Sequence, residues 1–224
     1  MVVLLILLTF VLILTVDWLV RRNGVARSAI ASAPPRLDPV PVFEPVFVAG
    51  YQLPDDLNYH RGHTWARVIA PDTVVVGVDD FARRLTGRAD KVKLPAVGDW
   101  LEQGDAGFRV RSHGREARFV APVTGEVVEV NRALSSTPSL ATDDPYGRGW
   151  LFKVHSSALA ANLRNLLSGK LARRWIEDAR GELELRLMAL SGSVLQDGGE
   201  PTHDFAEHLE REEWERLAVT FLLA

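Results

Sequence analysis

The sequence predicts a mainly β domain, a small barrel or sandwich, between an amino-terminal transmembrane helix and carboxy-terminal helices. An apolar run, without charge over residues 2–16, opens the chain, short apolar segments separated by Gly, Pro and Asp fill the middle, and helical apolar spacing returns near the end. We therefore expect an anchor over 1–20, a Pro-rich linker over 21–50, a β domain over 51–170 and a helical extension over 171–224.

Composition sets the first limits on function. The chain has 224 residues, 47% of them hydrophobic and 25% charged, which is typical of a folded protein. A formal charge of −3 gives no overall attraction to nucleic acid or anionic lipid. The absence of cysteine excludes disulfides, thiolate metal sites and cysteine nucleophiles.

The apolar run covers residues 2–20. Its first part, VVLLILLTFVLILTV, contains no charge, Gly or Pro, and the whole run has about the length that spans a ~30 Å hydrocarbon core. Arg21, Arg22 and Arg27 follow it, and positive charge favours the cytoplasmic side. This predicts a single-pass protein of an inner or plasma membrane, with its soluble domain in the cytoplasm.

Two other interpretations of the run are less favoured. A cleaved signal peptide has basic residues before its apolar region, and here they follow it. A buried core helix would have a polar face, and this run has none. Prolines 34, 35, 39 and 41 then favour an extended linker that holds the next domain away from the bilayer.

Short strands are expected through the middle of the chain. WARVIA and TVVVGV flank a Pro71–Asp72 turn, and a short helix follows that Asp79 or Asp80 caps and Gly87 ends. Two further strands, FRVRSH and REARFVAP, form a hairpin around His113–Gly114. Other strands are expected in KVKLP, TGEVVEVN and GWLFKV.

One internal echo suggests a quasi-symmetric sandwich. VGDWLEQGD (97–105) and TGEVVEVN (124–131) share the order Gly, acidic residue, two apolar residues, Glu and a turn residue. The predicted hairpin lies between these two copies.

Five sequence blocks follow one another through the middle of the chain. They are His63-Thr-Trp65, Val76-Gly-Val-Asp-Asp-Phe-Ala82, Leu94-Pro-x-Val-Gly98, Ala121-Pro-Val-Thr-Gly-Glu-Val-Val-Glu-Val-Asn131 and Asp144-Pro-Tyr-Gly-x-Gly-Trp150. In this order they resemble the H protein of the glycine cleavage system, over about Tyr59 to Leu171. The resemblance implies a barrel-sandwich hybrid fold, as in lipoyl and biotinyl domains. It also implies a lysine at the tip of the central hairpin that carries lipoate on a swinging arm.

The lysine that the resemblance implies is missing. In the family it lies eight residues before the Pro of a Pro-Val-x-Gly turn, and counting back from Pro122 gives Gly114. Lipoate attachment needs a primary amine, which an arginine guanidinium cannot replace. We therefore expect no cofactor, although lipoate is usual in the family. Lys91 and Lys93, in a strand away from the tip, are the alternative attachment points.

The hairpin is basic instead. Four arginines against Glu116 give residues 107–120 a net charge of +3. Such a tip suits an acidic partner, a phosphate group or an anionic surface, whereas the alternative is a solvated hairpin. The candidate binding residues are Arg109, Arg111, His113, Arg115 and Arg118.

No catalytic or metal centre is predicted. His60 and His63 have HxxH spacing, but a strand or loop would not place both on one face, and no third ligand is near in sequence. The resemblance explains His63 as a packing residue. No Ser-His-Asp order, phosphate loop or carboxylate pair is recognisable, so we expect a protein that is not an enzyme.

Helices are expected towards the carboxy terminus. Ser157 to Leu167 predicts one helix, and 171–190 favours a helix over a strand because Leu, Glu, Arg and Ala are good helix formers. After a loop over 191–202, residues 203–223 predict a last helix capped by Thr202. Its apolar stripe is expected to dock on the chain's own domain, or else to bind a partner.

Together these features predict a membrane-anchored, non-lipoylated binding or scaffold module with a cytoplasmic protein partner and no nucleic acid. One alternative is a component or regulator of glycine cleavage or another lipoyl-dependent system. A second is a transport adaptor of the membrane-fusion type. About 20 residues separate Leu101 from Pro122, which leaves no room for the long helical hairpin of such adaptors.

Overall fold

The computed structural model describes Thr15, Trp18, residues 46–191, Ala206 and residues 209–223. The chain divides into a unit over Met1–Glu44 and a compact unit over Pro45–Ala224. Most of the predicted membrane segment, most of the predicted linker and nearly all of the predicted 191–202 loop lie outside the described residues. Within the described part of the chain, no helix combines the length and the apolar character needed to cross a bilayer.

Residues 46–191 contain eleven strands in three antiparallel sheets, which confirms the prediction of a mainly β domain. One sheet pairs β1 (Phe47–Val48) with β2 (Tyr51–Gln52). The six-stranded sheet has the order β3 (Asn58–Tyr59), β4 (Thr64–Ala70), β5 (Thr73–Val78), β11 (Phe152–His155), β10 (Gly125–Val130) and β7 (Trp100–Leu101). The third sheet has the order β6 (Lys91–Lys93), β8 (Ala106–Ser112) and β9 (Arg115–Val120).

The two echoed sequence segments are neighbours in the six-stranded sheet. Leu101 of β7 pairs with Gly125 of β10, and Trp100 pairs with Glu126. The β8–β9 hairpin lies between them in sequence and belongs to the other sheet. The placement of two matching segments on either side of a central hairpin is therefore confirmed.

The first hairpin falls at the end of the predicted linker. Ala49 and Gly50 join β1 to β2 with φ values of 51° and 82°, which is the left-handed geometry of a two-residue hairpin turn. Two-residue strands are too short to show an alternating pattern, so no sequence pattern predicts them. Folded structure therefore begins before residue 51.

Six helices complete the described part of the chain. They are α1 (Asp80–Thr86), α2 (Ala133–Ser136), α3 (Leu140–Asp143), α4 (Leu159–Leu163), α5 (Gly169–Ser191) and α6 (Arg211–Leu222). Asp79 caps α1 by accepting a hydrogen bond from the Ala82 N–H at 2.8 Å, and the Gly87 N–H bonds back to Arg83, as predicted. The helix preferred for 171–190 is also confirmed, because α5 covers it.

Two predicted helices are shorter than expected. The segment 157–167 holds only the five residues of α4, and turns surround it. The last helix begins at Arg211 rather than at 203, because Glu210 and Glu213 form a reciprocal capping box that fixes its start. Thr202, the predicted cap, lies outside the described residues.

One close contact between β4 and β5 fixes the core of the larger sheet. Trp65 is fully buried, donates from Nε1 to the Val78 carbonyl at 2.8 Å, and pairs in register with Gly77. A Cβ on Gly77 would lie 2.2 Å from the Trp65 ring. Residue 77 must therefore be glycine if the ring is to lie flat across the neighbouring strand.

We predict that Gly77→Ala lowers the free energy of unfolding by about 3 kcal/mol, because the added methyl forces the indole out of its place. The matched control is Gly181→Ala in α5, where a Cβ meets nothing within 4 Å. That change should raise stability by up to about 1 kcal/mol, since alanine is the better helix former. Denaturant unfolding of both variants measures the difference, and equal stabilities would contradict the packing argument.

Candidate binding site at the central hairpin

A two-residue turn closes the β8–β9 hairpin at His113 and Gly114, as the sequence predicts. The last pair before the turn is Ser112 with Arg115. His113 and Gly114 have φ values of 49° and 76°, and both are exposed. The His113 N–H donates to the Asp90 carboxylate at 2.7 Å, which ties the turn to the residue that precedes β6.

The strand pleat sends three of the predicted binding residues outward. Arg109 and Arg111 are exposed on β8 while Phe108 and Val110, which alternate with them, are buried. Arg118 pairs with Arg109 across the hairpin and shares its face. The sheet thus brings Arg109, Arg111 and Arg118 together on one exposed surface.

Arg115 does not belong to that surface. It pairs with the buried Ser112, so its side chain leaves the opposite face of the pleat. Its guanidinium donates to the carbonyls of Ala206 at 2.6 Å and Leu209 at 2.5 Å, and lies 5.7 Å from the centre of the Trp214 ring. Arg115 therefore binds the chain's own carboxy-terminal segment, contrary to its predicted place in a partner-binding tip. This segment, which contains Ala206, Leu209 and α6, is called the tail below.

The tail docks on the chain's own domain. Trp214 of α6 is 1% exposed and donates from Nε1 to the Leu85 carbonyl at 2.8 Å. Leu217 and Phe221 are buried beside it, and the Phe221 ring lies 5.1 Å from that of Phe81. The apolar stripe of α6 is visible in the sequence, but no sequence pattern indicates that Arg115 holds the segment that precedes this helix.

The two lysines nearest in sequence lie on the strand beside the hairpin. Lys91 pairs with Arg111 and Lys93 with Arg109, and both side chains are exposed. Lys91 is therefore closer to the apex than its distance in sequence suggested. It nevertheless lies in the body of the sheet, whereas the turn is formed by His113 and Gly114.

The HxxH pair is held by other contacts. Nδ1 of His63 lies 2.7 Å from the Asp79 carboxylate, and the ring stacks on Phe81 at 4.0 Å. Nδ1 of His60 accepts from the Gly62 N–H at 3.0 Å. Burial lowers the pKa of His60, and the nearby His63 and Arg61 add to this effect. Among the described residues, no three His, Cys, Asp or Glu side chains are grouped to hold a metal ion.

The Asp144–Trp150 block is structural. The Tyr146 hydroxyl accepts from the Asp80 N–H at 2.8 Å and donates to the Gln52 carbonyl at 2.7 Å. Burial raises the pKa of this hydroxyl well above its ordinary value. A Cβ on Gly149 would lie 2.0 Å from the Leu140 carbonyl oxygen, so only glycine fits there. These contacts join the start of α1, β2 and the loop before β11.

Comparison with known proteins agrees with this arrangement. The family model "Glycine cleavage H-protein" matches residues 57–179. The chain belongs to the glycine cleavage H-protein family. The three sheets make the matched region mainly β, as the resemblance implied. The carboxy-terminal part of α5 and all of α6 lie beyond the matched residues.

Several H proteins show the similarity in detail. A probable glycine cleavage system H protein of Thermococcus gammatolerans is 35% identical over 130 residues, which cover 58% of this chain and 96% of that protein. The H protein of Thermus thermophilus is 44% identical over 102 residues, or 46% of this chain and 79% of that protein. A crystal structure of a glycine cleavage system H protein from Mycobacterium marinum is 34% identical and covers 47% of this chain and 87% of that chain, with a TM-score of 0.45.

We predict that Arg115→Lys loosens the docked tail of this H-protein relative. A lysine lacks the planar fork that bonds two carbonyls at once, and a charged hydrogen bond contributes about 1.5–3 kcal/mol. Amide hydrogen exchange in α6 should therefore speed up. The control is Arg118→Lys on the outer face. Equal exchange in α6 for both variants would show that Arg115 does not hold the tail.

Acid should destabilise the fold through His60. Its folded pKa lies below the unfolded value of about 6.5, so the unfolded chain binds more protons and the unfolding free energy falls as pH drops through 6.5. His60→Asn keeps an acceptor for the Gly62 N–H and cannot be protonated. We expect a smaller loss of stability between pH 8 and pH 5 for this variant in denaturant titrations. Identical losses would rule out His60 as the cause.

Proposed function

We propose that this H-protein relative is a binding module that carries no lipoate. The observation that carries the proposal is the apex of the central hairpin, where Ser112, His113, Gly114 and Arg115 offer no primary amine. Lipoate is attached through an amide bond to an amine, and a guanidinium stays protonated and does not form that bond. A chain with the family's sheets but without the attachment residue can present a binding surface. It cannot carry a lipoyl group, and it cannot have a catalytic role that depends on one.

The docked tail supports this proposal. A carrier needs the surroundings of its apex clear, so that the arm can move between partner enzymes. Here Arg115 and Trp214 fix the tail beside the hairpin, and the Arg211 guanidinium lies 4.0 Å from the position of a Cβ on Gly114. The tail thus occupies one flank of the site at which the family would place its arm.

The amino-terminal run supports attachment to a membrane. Residues 2–20 have the length and apolar character of a single-pass segment, and the basic residues that follow favour a cytoplasmic domain. The Pro-rich linker would join this domain to that segment. On this proposal, the module holds a cytoplasmic protein partner close to an inner or plasma membrane.

Family membership favours a second candidate, a component or regulator of glycine cleavage or a related lipoyl-dependent system. Lys91, opposite Arg111, is the amine that the strand register brings towards the apex. The adaptor alternative has no such support, because the stretch between Leu101 and Pro122 consists largely of the β8–β9 hairpin.

We predict that the native chain, purified from the membranes of its own cells, has the mass of the unmodified polypeptide. No amine is available at the apex to be acylated. Intact-mass spectrometry tests this, with a family member that retains the hairpin lysine expressed in the same cells as the control. A lipoyl adduct on this chain would refute the proposal, and the modified peptide would show whether Lys91 carries it.

A glycine-cleavage assay separates the two candidates. With this chain as the sole H protein, the binding module gives no turnover, whereas a carrier does. Adding the chain to a complete system tests regulation, since only a regulator changes the rate.

A further inference from the structure

The three-stranded sheet exposes an almost uniformly positive surface. The register places Lys93, Arg109 and Arg118 in one row across β6, β8 and β9, and a second row contains Lys91, Arg111 and Glu116. All six side chains lie on exposed positions, and partners in register share a face of the sheet. We call the five basic residues the cationic face: Lys91, Lys93, Arg109, Arg111 and Arg118.

This arrangement is unfavourable for the sheet alone. Neighbouring strands lie about 4.8 Å apart, and like charges directly opposite each other destabilise a sheet. Glu116 forms a salt bridge with Arg109 at 3.2 Å. In the part of the chain that the structure describes, the other four basic side chains form no salt bridge. Because the whole chain carries a charge of −3, the cationic face is a local concentration of charge that an external anion would stabilise.

Exposed apolar side chains border the cationic face. Trp100 is 60% exposed and Val97 59% exposed, both beside the start of β7. Trp100 and Ala96 line the same surface depression as Lys93 and Arg109, and Val97 directly follows Ala96 in the loop between β6 and β7. Asp99 also borders this depression, and its carboxylate accepts from the Ala96 N–H at 2.8 Å, which holds the turn. Tryptophan beside Lys and Arg is the combination that favours the interface between water and lipid.

The layout fits a planar array of phosphates better than a nucleic-acid strand. The two rows contain no aromatic residue and Trp100 at their border is a single ring, whereas single-stranded binders stack successive bases on several aromatic side chains. Five cations spread over three strands instead match a surface that offers negative charge in two dimensions. We propose that the cationic face, with Trp100 and Val97 at its border, binds the anionic headgroups of a lipid bilayer. This inference rests on the proposed attachment to a membrane by residues 2–20.

The chain has no cysteine, so one labelled cysteine can report this contact. The full chain carrying Val97→Cys with an environment-sensitive dye is reconstituted into vesicles of phosphatidylcholine, with or without phosphatidylglycerol. We expect a blue shift of the dye only with phosphatidylglycerol, and its loss at high salt, because salt screens exposed charges. The same dye on Leu185→Cys, an exposed position of α5, should not respond.

A matched pair of charge variants tests the residues. Lys93→Glu, Arg111→Glu and Arg118→Glu together should abolish the shift, and the corresponding Gln changes should weaken it. Arg132→Glu, Arg164→Glu and Lys170→Glu change the net charge equally at exposed positions outside this sheet and should leave the shift intact. Equal loss in both sets would show that only net charge matters, and would overturn the proposal.

Two other results would also overturn it. One is a dye signal that is the same in both lipid mixtures. The other is a signal that responds to a soluble acidic polypeptide but not to lipid, which would assign the cationic face to an acidic protein. Failure of the anchor is seen separately, as release of the chain from both vesicle types by an alkaline wash. A chain released in this way can still be scored for its shift with anionic vesicles.

Discussion

The register of β8 between β6 and β9 determines what each charged residue of the central hairpin can do. Because side chains alternate across a strand, Arg109 and Arg111 point outward, while the positions between them fill the core. The same alternation turns Arg115 away from the other arginines and towards the tail. A shift of one residue in this pairing would exchange the two sets and bury the charges. The hairpin can therefore present a cationic face and hold its own tail only in this register.

The family fold and the added tail meet at this hairpin. Trp65, Gly77 and Tyr146 all belong to the matched family region, and the Tyr146 hydroxyl joins the start of α1 to β2, which precedes that region. Trp214 then inserts from outside that region and bonds to the end of α1. The apex thus lies between packing within the matched region and a segment beyond that region.

Local signals in the sequence were sufficient for much of this structure. Asp79 as a helix cap and His113–Gly114 as a hairpin turn depend on residues within a few positions of each other, and both were predictable. The contacts of Arg115 were not, because Ala206 and Leu209 lie about ninety residues further on. The pairing of β6 with β8 brings Lys91 and Lys93 to the cationic face, and such non-local pairing has no signature in single-sequence patterns.

The position of α6 also protects the sheet. In the order β6, β8, β9, the last strand is at an edge, and an open edge offers unpaired N–H and C=O groups to any extended chain that approaches. α6 packs against β9, with Leu217 and Phe221 buried in the contact region. Because α6 lies against this edge strand, we expect it to hinder the addition of another strand and the edge-to-edge pairing of sheets between molecules. Removal of the chain from Ala206 onward would expose the edge of β9, and we expect such a chain to aggregate.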